Sequence, residues 1–238
     1  MAAANTIRDA LTAAAPRPAI DSKQAEKKNY AERLSRALAT KIANLLRPRF
    51  RGITPDEHGA RQEAPARTAK GVKKLDVNYS TTELGLGLGI SIKTINFPDP
   101  KAGRYTKNYT RVDNELRAEA KDYHQRQPYA VLVALIFLPL SSCLDGSPSS
   151  FGAAVRIFRH RTNRRDARDE QELLERIFIG VYDDSPKALG RVWFFDVMKR
   201  PRKEGPPAEA LQLGFDDIIG EIERTYAERN DPPFEWDE

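Results

Sequence analysis

Apolar and polar residues alternate along KKLDVNYSTTELGLGLGISIKTINF, residues 73–97, and a period of two predicts a half-buried β-hairpin. In its first strand Leu75, Val77 and Tyr79 fall on one side, and Asp76, Asn78 and Ser80 on the other. In the second, Leu86, Leu88, Ile90 and Ile92 form the apolar set, which leaves Gly85, Gly87, Gly89, Ser91 and Lys93 opposite. Residues Thr81 to Glu83 make the turn. Glycine inside a strand marks a bulge or a close approach, so this stripe predicts a surface cleared for a bulky partner such as a nucleic-acid backbone.

The period changes on both sides of the hairpin. Tyr30, Leu34, Leu38, Ile42 and Leu45 recur at helical steps and predict an amphipathic helix from Ser22 to Arg47, stopped by Pro48. Residues 49–72 have no period and are rich in Arg, Pro, Gly and Ala, so a loop is expected. Residues 107–127 predict a helix that is polar almost all round. The unbroken apolar run from Ala130 to Leu140 predicts a strand buried on both faces. Ser149 suits the cap of a helix reaching about Arg159, residues 177–182 and 192–197 suit two more strands, and residues 215–229 suit a closing helix with Ile218, Ile219, Ile222 and Tyr226 inward. The expectation is an α/β fold, a mixed sheet flanked by helices, in one domain over residues 22–230. A flexible arm, residues 1–21, precedes it, and an acidic tail, residues 231–238, follows with Phe234 and Trp236 as docking groups.

Composition narrows the chemistry. The 238 residues are 40% hydrophobic and 31% charged, the balance of a soluble globular chain. No apolar run approaches the roughly 18 residues of a membrane span. The single cysteine, Cys143, excludes an intramolecular disulfide and argues against a cysteine-based zinc site, and a reducing cytoplasm is expected. No Walker loop, GxGxxG or HExxH motif occurs, and the alternation in GLGLGIS marks it as strand, so no nucleotide cofactor is expected. A net charge of +5 is mildly basic and fits a nucleic-acid partner.

The order helix, Asp-bearing strand, strand ending in Ser91-Ile92-Lys93, helix, buried strand resembles the PD-(D/E)xK, or restriction-endonuclease-like, nuclease superfamily over about residues 22–140. The resemblance implies a Mg²⁺-dependent endonuclease, with Mn²⁺ as a substitute, that hydrolyses DNA in restriction or defence against foreign DNA. Asp76 matches the metal-binding aspartate and Lys93 the motif lysine. Ser91 departs from the pattern, standing where the second carboxylate usually is. Glu83 in the turn, Asp99 after the strand and Glu32 in the first helix are the candidates to replace it, with Glu83 assigned to the catalytic set and Glu32 to the metal.

Contacts to DNA are expected from Lys107, Asn108, Arg111 and Arg117 on the polar helix, and from Arg161, Arg164 and Arg165 in the basic run RHRTNRRDAR. Asn114, Glu115 and Glu119 are alternatives that support the site from behind, while His124 reads as a packing or surface residue. The loop 49–72 would fold over DNA. The resemblance further implies a symmetric homodimer and leaves room for a partner protein that supplies specificity. The competing readings are a catalytically weak or inactive nucleic-acid-binding or assembly subunit, and a structural protein in which Asp76 and Lys93 form an ordinary salt bridge.

Overall fold

The computed structural model describes residues 5–62, 64–82 and 85–230. In chain order the elements are α1 (Arg8–Ala14), α2 (Gln24–Leu46), β1 (Ala64–Thr68), β2 (Gly71–Leu75), β3 (Val77–Thr81), β4 (Gly85–Thr94), α3 (Tyr109–His124), β5 (Val131–Pro139), α4 (Ser150–Phe158), β6 (Arg176–Tyr182), β7 (Val192–Asp196) and α5 (Phe215–Arg229). The main sheet is mixed, in the order β3-β4-β5-β6-β7, and its three central strands are parallel while both edge strands are antiparallel. Strands β1 and β2 form a separate antiparallel ribbon. Among the described residues no helix is long and apolar enough to cross a membrane.

Helices cover both faces of the sheet, which is why β5 is apolar at every position. Val131, Val133, Leu135 and Phe137 join one core with residues of α1, α2 and α5, whereas Leu132, Ala134, Ile136 and Leu138 join the other with residues of α3 and α4. The Ser149 hydroxyl accepts from the Gly152 amide at 3.1 Å and caps α4.

Four expectations are corrected. The N-terminal arm is docked: the Ile7 amide donates to the Gly190 carbonyl at 2.7 Å, and Ile7, Ala10, Leu11 and Ala14 are buried. Burying Ile7 and Leu11 contributes on the order of 1.5–3 kcal/mol each, enough to hold a short helix that would fray in isolation. The expected loop 49–72 contains β1 and the start of β2. Helix α3 is amphipathic, because Tyr109, Val112, Leu116, Ala120 and Tyr123 form a buried stripe at helical spacing.

The glycine stripe is filled by the protein itself. A Cβ on Gly85 would overlap the Gln127 amide, one on Gly87 would stand 3.3 Å from Tyr79 and Tyr226, and one on Gly89 would lie 2.7 Å from Leu75 and 2.9 Å from Leu132. A register shift between Tyr79 and Ser80 turns Leu86 toward the core under α3 and Gly87 toward the core under α2. No surface cleared for a nucleic-acid backbone remains along these glycines.

Candidate active site

Asp76 is the single residue between β2 and β3, where the apolar alternation breaks: Leu75 packs under α3 and Val77 under α2. Val77 pairs with Ile90, and one step further the Asp76 carboxylate replaces the backbone ladder, with Oδ2 accepting from the Ile92 amide at 2.6 Å. This bond pins the carboxylate beside the Ser91-Ile92-Lys93 tripeptide. Ile92 points into the core under α2, so Ser91 and Lys93 face α3.

Helix α3 meets them with acid. Glu119 accepts from the Lys93 ammonium through Oε1 at 2.8 Å and from the Ser91 hydroxyl through Oε2 at 2.5 Å. Glu115, one turn earlier, lies 3.7 Å from the same ammonium and is also paired with Arg111. Burial alone would lower the pKa of Lys93, but Glu119, Asp76 and Glu115 outweigh it and the net shift is upward. Lys93 is therefore a fixed ammonium at neutral pH, able to donate and to balance charge but unable to act as a base.

Tyr123 was not foreseen by sequence reasoning. Its ring is buried, and its hydroxyl has no hydrogen-bond partner among the described residues. Burial first, and then the charges of Glu119, Asp122 and Asp76, raise its pKa, so it remains a neutral donor close to the acidic cluster.

Of the three candidates for the second acid, the two among the described residues are not brought to this site. Glu32 projects from α2, which covers the opposite face of the sheet, and it is exposed and bonded to Arg36 at 2.7 Å, so it cannot share a metal with Asp76. Asp99 closes the turn after β4. It accepts from the amides of Lys101 and Ala102 and pairs with Lys107 at 2.7 Å, and the Lys107 contact followed by these amides lowers its pKa to about 2. Glu83 lies outside the described residues. Glu119 is the carboxylate found beside Ser91 and Lys93 instead, and its signal in sequence was the helical spacing from Glu115.

The expected DNA contacts divide in the same way. Lys107, Arg111 and Arg117 are exposed on α3 or the turn leading into it, with Asn108 half-buried beside them. Arg161 and Arg164 are corrections. Arg161 grips the Asp113 carboxylate with two bonds of 2.9 and 3.0 Å. Arg164 is fully buried, donating to Glu175 at 3.0 Å and to the carbonyls of Pro128 and Ala167 at 2.9 Å. Their charge is consumed internally, and of the three only Arg165 is exposed. His124 is also buried, with Nδ1 3.1 Å from the Gln171 carbonyl and Nε2 3.3 Å from Glu175.

Among the described residues no three His, Cys, Asp or Glu side chains converge as a ready-made metal cage. Magnesium commonly uses only one or two protein carboxylates and completes its shell with water and substrate phosphate. No family model matches the chain, and no curated protein or solved structure is significantly similar to it.

Proposed function

We propose that the protein is a Mg²⁺-dependent endonuclease with Asp76, Ser91, Lys93 and Glu119 as its active residues, a restriction-endonuclease-like enzyme acting on DNA, in the cytoplasm, in defence against foreign DNA. The observation that carries this reading is the convergence of Asp76 from the strand junction and Glu119 from α3 on the tripeptide that ends in Lys93. On this reading Glu119, hydrogen-bonded to Ser91, would stand in for the carboxylate that the motif has at position 91.

Asp76 and Glu119 would hold the cation, with the Ser91 hydroxyl positioning a bound water. The ion supplies a polarised phosphate and a water of lowered pKa. The Lys93 ammonium orients the attacking water and balances negative charge that develops on the phosphate oxygens. Tyr123 offers one further neutral donor. Hydrolysis adds water across one P–O bond and leaves a phosphomonoester on one side of the break and a hydroxyl on the other. Lys107, Asn108, Arg111 and Arg117 would meet neighbouring phosphates, and a homodimer would present two such sites to the two strands. Target specificity would come from this chain or from a partner protein.

The second reading, a binding or assembly subunit without catalysis, is favoured by one fact: both Glu119 oxygens are already engaged, by Lys93 and Ser91. Manganese titration separates the two. The nuclease reading predicts one-site binding, lost in Asp76→Asn and retained or tightened in Ser91→Asp, where a second acid is restored. Absence of binding, or a large loss of affinity in Ser91→Asp, would favour the subunit.

A further inference from the structure

A pocket of about 330 Å³ lies between residues 163–165, the start of β6 and the last turns of α5, and the charges that line it do not balance. Arg164, Arg165, Arg176 and Arg229 face only Glu175 and Glu228. Glu228 is exposed and lies 3.7 Å from Arg224, a cation outside the pocket. Glu175 is left to answer two guanidinium groups: its Oε1 accepts from Arg164 at 3.0 Å and from Arg229 at 2.9 Å, while its Oε2 accepts from the Leu132 amide at 2.7 Å beside His124. The Arg164 and Arg229 side chains are 0% and 5% exposed, so one carboxylate serves two buried cations and an excess positive charge stays away from water.

Nearby acids do not remove the excess. Asp169 accepts from the amides of Arg165 and Asp166, and Asp166 from the amide of Arg168, so both carboxylates are spent on their own segment. Burial first, with the Arg164 charge adding to it, holds the Arg229 pKa below its ordinary value despite Glu175, Asp166 and Asp169. Donors remain as well as charge. Arg164 Nε is buried without a hydrogen-bond partner among the described residues. Arg165 gives its Nε to Asn163 at 3.1 Å, and Arg176 gives its Nε to Thr225 at 3.2 Å with one terminal nitrogen 3.5 Å from Glu221. A guanidinium carries five N–H groups in a planar fork, so both keep terminal donors for a ligand. Asn163, which holds Arg165, has a φ of +80° and is the one non-glycine residue with positive φ among the described residues.

We infer that this pocket binds a phosphate group, as free phosphate or as the terminal monoester of a nucleic acid, with Arg165 and Arg176 donating to its oxygens and the buried Arg164 and Arg229 supplying positive potential. Guanidinium forks match the oxygens of phosphate and pair with them through charge-assisted bonds, whereas chloride would leave that directionality unused. A phosphate monoester carries nearly two negative charges at neutral pH and offsets more of the excess than a carboxylate can. The volume stands at the low end of ligand pockets, roughly 300–1,000 Å³, enough for one such group and its waters but not for a duplex. None of Asp76, Ser91, Lys93 and Glu119 lines the pocket, so binding here stands or falls apart from metal-dependent cutting.

The test is calorimetric titration with inorganic phosphate, in chelator and at constant ionic strength, of wild type, Arg165→Gln and the double variant Arg165→Gln/Arg176→Gln. Wild type is expected to bind phosphate saturably at one site and to give no saturable signal with chloride. Affinity should fall by about tenfold or more in the double variant and by part of that in Arg165→Gln. Melting temperatures without phosphate should change little, because Arg165 is exposed and the Arg176 side chain is 25% exposed. A short oligonucleotide ending in a 5′-phosphate then competes with the bound phosphate, beside the same strand ending in a 5′-hydroxyl. Displacement by the phosphorylated strand alone identifies a nucleic-acid end as the source, and displacement by neither identifies free phosphate. No saturable phosphate binding by wild type, or equal affinity in wild type and the double variant, would overturn the inference.

Discussion

Glu119→Gln is expected to lower metal-dependent DNA cleavage by about 10²-fold or more while leaving the fold intact, the scale at which removal of a metal-supporting or charge-stabilising group acts. The amide retains the shape of the carboxylate; its one oxygen can still accept from Lys93 and its NH2 can donate to the Ser91 hydroxyl oxygen, so packing survives. What disappears is one negative charge from the pair that would hold the cation, and the principal partner that keeps Lys93 a localised ammonium. Cleavage in rising Mn²⁺ should recover part of the activity, because the defect lies in cation affinity. Activity equal to wild type at limiting Mg²⁺ would remove Glu119 from the site and return the second acid to Glu83.

The largest effect on stability is expected from Glu175→Ala. Glu175 is almost wholly buried. Its Oε1 accepts from Arg164 at 3.0 Å and Arg229 at 2.9 Å, and its Oε2 accepts from the Leu132 amide at 2.7 Å beside His124. Removing it strands two guanidinium groups away from water. Breaking a buried pair from one side costs about 3–5 kcal/mol, which lowers the melting temperature of a domain this size by roughly 10 °C. As a control, Glu221→Ala breaks half-exposed bridges to Arg176 and Arg224 and should cost no more than about 1 kcal/mol.

The same group sets acid sensitivity. Burial alone would raise the pKa of Glu175, but His124, the Leu132 amide and Arg229 outweigh it, and the net shift is downward. A carboxylate whose folded pKa lies below its unfolded value of about 4.3 stabilises the fold fully above that pH, and the contribution fades as pH falls toward the folded pKa. Wild type should therefore lose more stability than Glu175→Ala on acidification below about pH 4. A melting temperature for Glu175→Ala within a degree or two of wild type would mean that the buried arginines find carbonyl partners sufficient to replace it.

Elements held by their own periodicity were legible from the residues alone. Helix α2 shows its face through large aliphatic side chains at every turn, and β5 shows burial on both faces by having no polar residue to hide. Helix α3 was misread because two tyrosines and an alanine carry much of its buried stripe, and these residues count as weakly apolar or small in any sequence pattern. Ribbon β1–β2 was missed because its strands, APART and GVKKL, have little strand propensity; its place is set by Asp122, a residue of another element. Arg164 looked like surface charge for a similar reason, since its partner Glu175 lies beyond a turn that no local pattern specifies.

The candidate site divides along the same line. Asp76, Ser91 and Lys93 sit on one hairpin, and alternation placed them together. Glu119 and Tyr123 arrive from a helix 26 residues beyond Lys93 or more, where only the tertiary packing of α3 across β4 makes them neighbours. A side chain brought in by packing from another element leaves no trace in the hairpin's own pattern.

The most direct test of the central claim, that Asp76, Glu119 and Lys93 form a metal-dependent phosphodiesterase site, compares wild type with Lys93→Ala on supercoiled, linear and single-stranded DNA, with and without Mg²⁺ or Mn²⁺. The account predicts cutting by wild type only when metal is present, a fall of about 10²–10³-fold in Lys93→Ala, and DNA binding preserved in both. Cutting that persists unchanged in Lys93→Ala, or no cutting of any substrate by a wild-type protein that still binds DNA, would contradict it.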